Sequence, residues 1–419
     1  MSSNIVEISD FTNQLKFRLK KYSRYPHVRF NPSIVHHKDD IFYGVYRLLV
    51  HYKADKKYDK FHPPPMWTHG WASHFDGTIF FILKIENNSY RIVKELPIFD
   101  LPLNNFVMDA NLPYINSGIV DARIYKGKNN YFISYNYYIN NPVNNPHFYN
   151  TKLNPVFKQA SINSIAYSNL FIDPNLDICL LKDRHIPCFN LNTINKNKHI
   201  YPLSFRLAPS VPFVYEEKNW VFWKEKYITY TVEPHVVFEK NNDASCKQLI
   251  HQSSKNFISE LQKRYKSLRF GLGAPPILFN SKEFIAIGHA KYDIRTDTIL
   301  PIHHVHSKLI HRNISSHYII NDKVNPRMVY MMFFYTFERK PPFKLTRISH
   351  SFLPENNSLF TLTFPMGITK VKSNFIVSYG EGDKFCKLLK ISSKTINKLL
   401  IPYINLKNLD DYKFLTNLP

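Results

Sequence analysis

With 419 residues, 44% of them hydrophobic and 15% aromatic, the chain is long enough to bury a large core and too apolar for extended disorder. Lys and Arg number 55 against 32 Asp and Glu, a net charge of +23, but the cations are dispersed and argue against nucleic acid as the partner. No apolar run reaches the ~18 residues of a membrane helix, no secretory leader is visible, and the four cysteines (Cys179, Cys188, Cys246, Cys386) show no metal or disulfide spacing. A cytoplasmic location with reduced thiols is expected.

In chain order, one pattern recurs five times: a polar or small residue, an apolar strand, a charged or Asn-bearing turn, then an aromatic alternating strand. The copies run from Asn31 to Arg47, Asp121 to Asn136, Glu217 to Thr231, Gly273 to Asp293 and Phe364 to Asp383. Each predicts a β-hairpin, with turns HKDD, KGKNN, KEK, NSKE and KSN between strands rich in β-branched and aromatic residues. A hairpin cannot bury both of its faces alone. The spacing of the copies exceeds that of familiar blade repeats and leaves room for four strands per unit. The expected fold is all-β: a five-bladed β-propeller, with residues 1–419 forming a single domain. Two segments depart from the strand rhythm. Residues 243–268 carry apolar residues at helical spacing (Leu249, Ile250, Phe257, Leu261) behind Asp243 and predict an inserted helix. Residues 392–419 read as a C-terminal extension with a second short helix.

Radial stacking would bring equivalent positions of the repeats together at one end of the axis. Those positions collect Asn31, Arg47, Asp121, Lys218, Asn219, the Gly273–Pro276 turn, His289 and Asp383. Carboxylates and amides bind hydroxyls, and cations bind phosphate oxygens, so the set suits a polyhydroxylated ligand carrying phosphate. Glu233, His235, Tyr335 and Glu338 are further pocket candidates, each equally readable as a structural strand residue. His304 and His306 fall on one strand face, but no carboxylate is near in sequence, and a hairpin tip explains them better than a metal does.

The motifs resemble those of glycoside hydrolase family 130, the β-mannoside phosphorylases and hydrolases, and of related β-1,2-mannosyltransferases. The resemblance rests on Asn31-Pro32-Ser33 with Tyr46-Arg47, Asp121-Ala122-Arg123-Ile124, Glu217-Lys218-Asn219-Trp220, Gly273-Ala274-Pro275-Pro276 with His289, and Ser378 to Asp383. Ala122 stands where the family carries Pro. The resemblance implies an inverting mechanism with Asp121 as the catalytic carboxylate: general acid in phosphorolysis or hydrolysis, general base in synthesis. It also implies that Asn31, Arg47, Arg123, Lys218, Asn219 and Asp383 hold the sugar, and that His289 with a nearby cation faces phosphate. The family's Arg-bearing phosphate segment has no clear counterpart between Asn136 and Glu217, where Lys198, His199 and Arg206 are loose candidates. That gap favours a glycosyltransferase moving a mannose-like unit, ahead of a phosphorylase or hydrolase, with an idle glycan- or protein-binding propeller as the third reading. No cofactor is required. The co-substrate would be a nucleotide sugar, a sugar phosphate or inorganic phosphate.

Overall fold

The structure is a computed structural model of the chain. It describes residues 6–16, 27–51, 73–86, 89–100, 119–139, 162–172, 179–185, 215–216, 220–240, 246–252, 257–293, 319–320, 323–324, 328–354, 362–382, 384–403, 410, 412–415 and 418. The fold is all-β. Among the described residues, no helix is long and apolar enough to cross a membrane.

Strand β1 (Val6–Asp10) is set apart from its neighbours in sequence. The first sheet follows as an antiparallel meander of β2 (His27–Lys38), β3 (Ile41–His51), β4 (Ser73–Glu86) and β5 (Ser89–Asp100). The second, which the β5–β9 pairing fuses with the first into one nine-stranded sheet, contains β6 (Val120–Lys126), β7 (Tyr131–Ile139), β8 (Ile162–Ile172) and β9 (Cys179–His185), with β10 (Tyr215–Glu216) parallel to β8. Its last strand pairs in parallel with β5, through Ile98–Asp100 and Cys179–Leu181. The third is β11 (Val221–Trp223), β12 (Tyr227–Thr231), β13 (His235–Lys240) and β14 (Cys246–Gln252).

In the fourth sheet, β15 (Arg269–Leu272) and β16 (Ile277–Leu278) both pair with β17 (Glu283–Asp293). A two-residue ladder of β18 (Ile319–Ile320) and β19 (Lys323–Val324) precedes the next two strands of that sheet, β20 (Met328–Glu338) and β21 (Leu345–Ser349), with β22 (Ser351–Phe352) also on β20. The fifth sheet is β23 (Thr363–Val371), β24 (Asn374–Glu381) and β25 (Phe385–Ser392), and its fourth strand is β1. Finally β26 (Leu400–Pro402) joins β21 and β27 (Phe414–Leu415) joins β22.

All five hairpins expected from the sequence are present, as the strand pairs β2–β3, β6–β7, β11–β12, β16–β17 and β23–β24. Their hydrophobic faces form five clusters, each shared by consecutive sheets. Ile133 and Tyr135 meet Val45 and Phe80; Phe222 and Ile228 meet Tyr125 and Phe132; Trp223 and Val237 meet Phe284 and Phe337. Ile285 and Phe334 meet Val377 and Leu389, and Ile376 and Leu388 return to Phe42 and Ile79 of the first sheet. Each strand pair is thereby buried on both faces, as an isolated hairpin could not be.

The segment 243–268 is a helix only from Phe257 to Arg264, with Leu261 buried. Its first half is strand β14, because the open edge of β13 takes up a partner from Cys246 to Gln252 and that pairing overrides a weak helical period. Asp243 lies outside the described residues. The tail does carry a helix, Ser393–Leu399, whose N-cap Ser392 accepts from Thr395 N at 3.1 Å. It is not an appendage, since β26 and β27 complete the fourth sheet.

The fifth and first sheets approach backbone to backbone. Ser33 Oγ donates to Met366 O at 2.9 Å, and Ile34 N donates to Ser378 Oγ at 3.1 Å. A Cβ at Gly367 would lie 2.6 Å from Ile34 N and against Ser378 Oγ. Gly367→Ala should therefore destabilise the protein by about 1–3 kcal/mol through overpacking, read as a lowered denaturant midpoint with little change in slope.

Candidate active site

Three inner hairpins share a β-bulge at the same place. The register slips by one residue between Phe30 and Ser33, between Val120 and Arg123, and between Pro365 and Gly367. In the first two sheets the bulge holds a residue with left-handed backbone, Asn31 at φ 52° and Asp121 at φ 51°. Asn and Asp tolerate this region better than other side chains do. The bulge turns both side chains off the regular alternation and toward each other. The residues opposite the preceding positions, Arg47 and Asn136, are likewise equivalent. In the fifth sheet the same place is taken by Gly380, where a Cβ would collide with Asn31, 2.9 Å from its backbone N.

The result is one carboxylate ringed by donors. Asp121 Oδ1 accepts from Asn31 Nδ2 at 2.9 Å and Arg47 Nη1 at 3.1 Å, and Oδ2 accepts from Asn136 Nδ2 at 3.3 Å. The Asp121 side chain keeps 18% exposure, whereas Arg47 keeps 7%. Burial pushes the Asp121 carboxyl up, but Arg47, the amide of Asn31 and Arg123 outweigh it and hold the group below its ordinary value. In the free protein it is therefore ionised at neutral pH. Asn31 Oδ1 and Asn136 Oδ1 are buried with no hydrogen-bond partner among the described residues. Two unused acceptors thus flank a partly open carboxylate.

Arg123 has a different part. It is fully buried, its Nε donates to Gly273 O, and Nη1 reaches Asp121 O at 3.4 Å. It braces the bulge that carries Asp121 and ties it to the fourth sheet, rather than presenting a cation to a ligand. Burial lowers its pKa to about 10, against the pull of Asp121, so it stays charged at neutral pH. Burial drives the pKa of Tyr335 well up, only partly offset by nearby Arg123; its hydroxyl has no hydrogen-bond partner among the described residues.

His289 is buried with Nδ1 3.1 Å from Leu272 O, its ring stacked 5.3 Å from Tyr330 and packed 4.8 Å from Phe364. The Arg123 guanidinium lies 5.9 Å from the other neighbour of that histidine, the Phe364 ring. Its ring packs over Gly271, where any Cβ would strike it. The structure therefore gives His289 a packed, hydrogen-bonded setting next to the Asp121 group.

Other expected residues fall elsewhere. Glu233, on the turn between β12 and β13, accepts from Tyr403 OH at 2.8 Å. His235 is wholly buried, with Nε2 3.0 Å from Phe343 O, and burial lowers its pKa to about 4. Glu338 pairs in register with Glu283 at the far end of β20, whereas His289 is opposite Met332. Lys218, Asn219 and Asp383 lie outside the described residues, as do Lys198, His199, Arg206, His304 and His306. Asn136 was not among the expected site residues. The signal was available, because it closes its hairpin at the place where Arg47 closes the first.

No protein-family model matches the chain, and no curated protein matches it. In chain course it resembles glycoside hydrolase family 130 proteins. One is a structure described as a family 130 glycoside hydrolase that targets β-1,2-mannosidic linkages in Candida mannan, at 13% identity over 94% of this chain and 95% of the other, TM-score 0.45. Another is the β-1,2-mannobiose phosphorylase of Listeria innocua in complex with β-1,2-mannobiose, at 10% identity over 94% and 98%, TM-score 0.44. A third is a glycosyl hydrolase from Bacteroides ovatus, at 14% identity over 94% and 95%, TM-score 0.43.

Removing Arg47 tests the electrostatics of the site. Arg47→Met leaves a buried carboxylate without its cation, an expected loss of about 3–5 kcal/mol at neutral pH in chemical denaturation. In the unaltered protein the depressed Asp121 pKa adds stability above the unfolded carboxylate range, and this is lost as pH falls through the lower folded value. Arg47→Met raises the Asp121 pKa, so the acid side of the stability profile should move to higher pH.

Proposed function

We propose that the five sheets are the blades of a five-bladed β-propeller forming a single domain, and that the Asp121 end is the active site of a carbohydrate-active enzyme. The cyclic order of the hydrophobic clusters supports the propeller, as does the use of β1 as the outermost strand of the last sheet. The observation that carries the enzymatic reading is the Asp121 carboxylate itself, 18% exposed at a bulge shared by two repeats and held below its ordinary pKa by Arg47 and Asn31.

The reaction proposed is inverting cleavage of a mannose-like β-glycoside, by phosphate or by water. Asp121 carries the proton. Ionised in the free protein, it must take up a proton in the substrate complex before it donates to the glycosidic oxygen, directly or through a sugar hydroxyl, while phosphate, or water that then releases its proton to solvent, attacks the opposite face of the anomeric carbon. Arg47, Asn31 and Asn136 orient the ring and the carboxylate, while Arg123 fixes the backbone beneath it. Lys218, Asn219 and Asp383 are proposed to complete the sugar site, and His289 to border the phosphate.

One observation favours a second reading, transfer of a mannose-like unit from an activated donor. Asp121 is held ionised by Arg47 and Asn31, and an ionised carboxylate is ready to take a proton from an acceptor hydroxyl.

The deciding experiment incubates the protein with β-1,2-mannobiose, with and without inorganic phosphate, and separately with GDP-mannose or mannose 1-phosphate plus a mannose acceptor. Release of mannose 1-phosphate or mannose supports cleavage; extension of the acceptor supports transfer. Asp121→Asn should lower either rate by about 10²–10⁴-fold, the usual worth of general acid–base catalysis. Full activity in that variant would remove Asp121 from the mechanism. A wild-type protein that binds the sugars but turns over none would make the propeller a binding module.

A further inference from the structure

The five inner hairpin turns gather at the end of the molecule opposite Asp121. Strand β2 runs from Asn31 to its turn at Lys38 and β6 from Asp121 to its turn at Lys126, so the two ends are on the order of 20 Å apart at strand rise. Contacts link each turn to the next around the whole set. Lys126 Nζ donates to His37 O at 2.8 Å, and Lys128 N donates to Glu225 Oε1 at 3.2 Å. Lys224 Nζ lies 4.4 Å from the Phe284 ring centre, and Lys370 Nζ donates to Phe279 O at 3.1 Å. His36 N closes the circuit on Thr369 Oγ1 at 3.1 Å.

Every one of these turns presents an exposed lysine, Lys38, Lys126, Lys224, Lys282 and Lys370, in excess over the exposed acids of the same turns, Asp39, Asp40 and Glu225. The same face carries exposed apolar side chains. Among the described residues three large hydrophobics are exposed, Val93, Phe171 and Leu278. Two of them belong to this end. Leu278, 44% exposed, lines an open groove with Ile277, Arg339 and Lys370. Phe171, 40% exposed, follows Leu170, the register partner of Tyr131, which itself follows the second turn.

We propose that this face is a docking surface for an anionic lipid bilayer. A ring of lysines at one level is complementary to a plane of negative headgroups, which attract basic residues at about fivefold in partition per lysine. Leu278 and Phe171 reach the boundary of the acyl region, which a polyanion without an apolar phase would leave unrewarded. In this orientation the Asp121 end faces away from the membrane, open to a soluble glycan. The proposal stands whether or not Asp121 is catalytic.

The test is co-sedimentation of the full chain with vesicles of phosphatidylcholine containing 30 mol% phosphatidylserine, against phosphatidylcholine alone; that mole fraction is an experimental choice of roughly physiological size. Binding should require the anionic lipid and fall in high salt. Lys38→Gln with Lys282→Gln should weaken it by roughly 25-fold. Leu278→Ser, which leaves the charge unchanged, should weaken it several-fold. The matched variant Lys263→Gln with Lys266→Gln, on and just after the helix Phe257–Arg264, should change it less than twofold. Three outcomes would overturn the proposal: no vesicle binding, equal loss in the two double variants, or tighter binding to duplex DNA with no effect of Leu278→Ser. Unchanged thermal unfolding of each variant separates lost docking from lost fold.

Discussion

The geometry around Asp121 depends on holding one carboxylate below its ordinary pKa in a place where burial pushes it up. Taking Asp121 out of water is costly. The cost is offset by Arg47, which is itself buried and would be equally costly without the acid, and by two amides that approach from either side. The arrangement works only because two sheets that are strangers in sequence present matching positions. Asn31 and Asp121 are 90 residues apart, yet they occupy the same bulge of the same repeat, and their partners Arg47 and Asn136 occupy the same opposing place.

That economy explains the small residues nearby. The fifth sheet carries the bulge too, but there the repeat supplies Pro365 and Gly380 in place of a polar pair. An ordinary side chain at Gly380 would occupy the space of Asn31. Gly367 and Ser33 perform the same service one step along, letting the first and fifth sheets hydrogen-bond where they would otherwise only pack. The site is thus specified as much by the atoms that are missing in one sheet as by the charges in the other two.

Much of this was legible beforehand. The five hairpins were visible because turn chemistry and β-branched, aromatic strands repeat together, and the convergence of Asn31, Arg47 and Asp121 followed from aligning the copies. Other parts depended on tertiary context. Cys246–Gln252 has a faint helical period and became a strand because β13 offered an unpaired edge. Arg123 is a sugar ligand by resemblance alone; in the structure it is buried and donates to two backbone carbonyls, a setting its local sequence does not reveal. Glu233 and Glu338 looked like pocket acids, since nothing in their local sequence reveals that Tyr403 claims one and that the other sits at the wrong end of its strand.

The pairing of β1 with β25 has a consequence for how the molecule is made. Val6 registers with Ile391, so the last sheet joins segments far apart along the chain. The hairpins pair locally as the ribosome delivers them, while the β1 segment must wait, its strand edge unsatisfied, for β25, and the fourth sheet is completed only when β26 and β27 follow. During that interval the nascent chain exposes an edge able to pair with strangers, and a transcript cut short before Phe385 would leave it permanently without its mate.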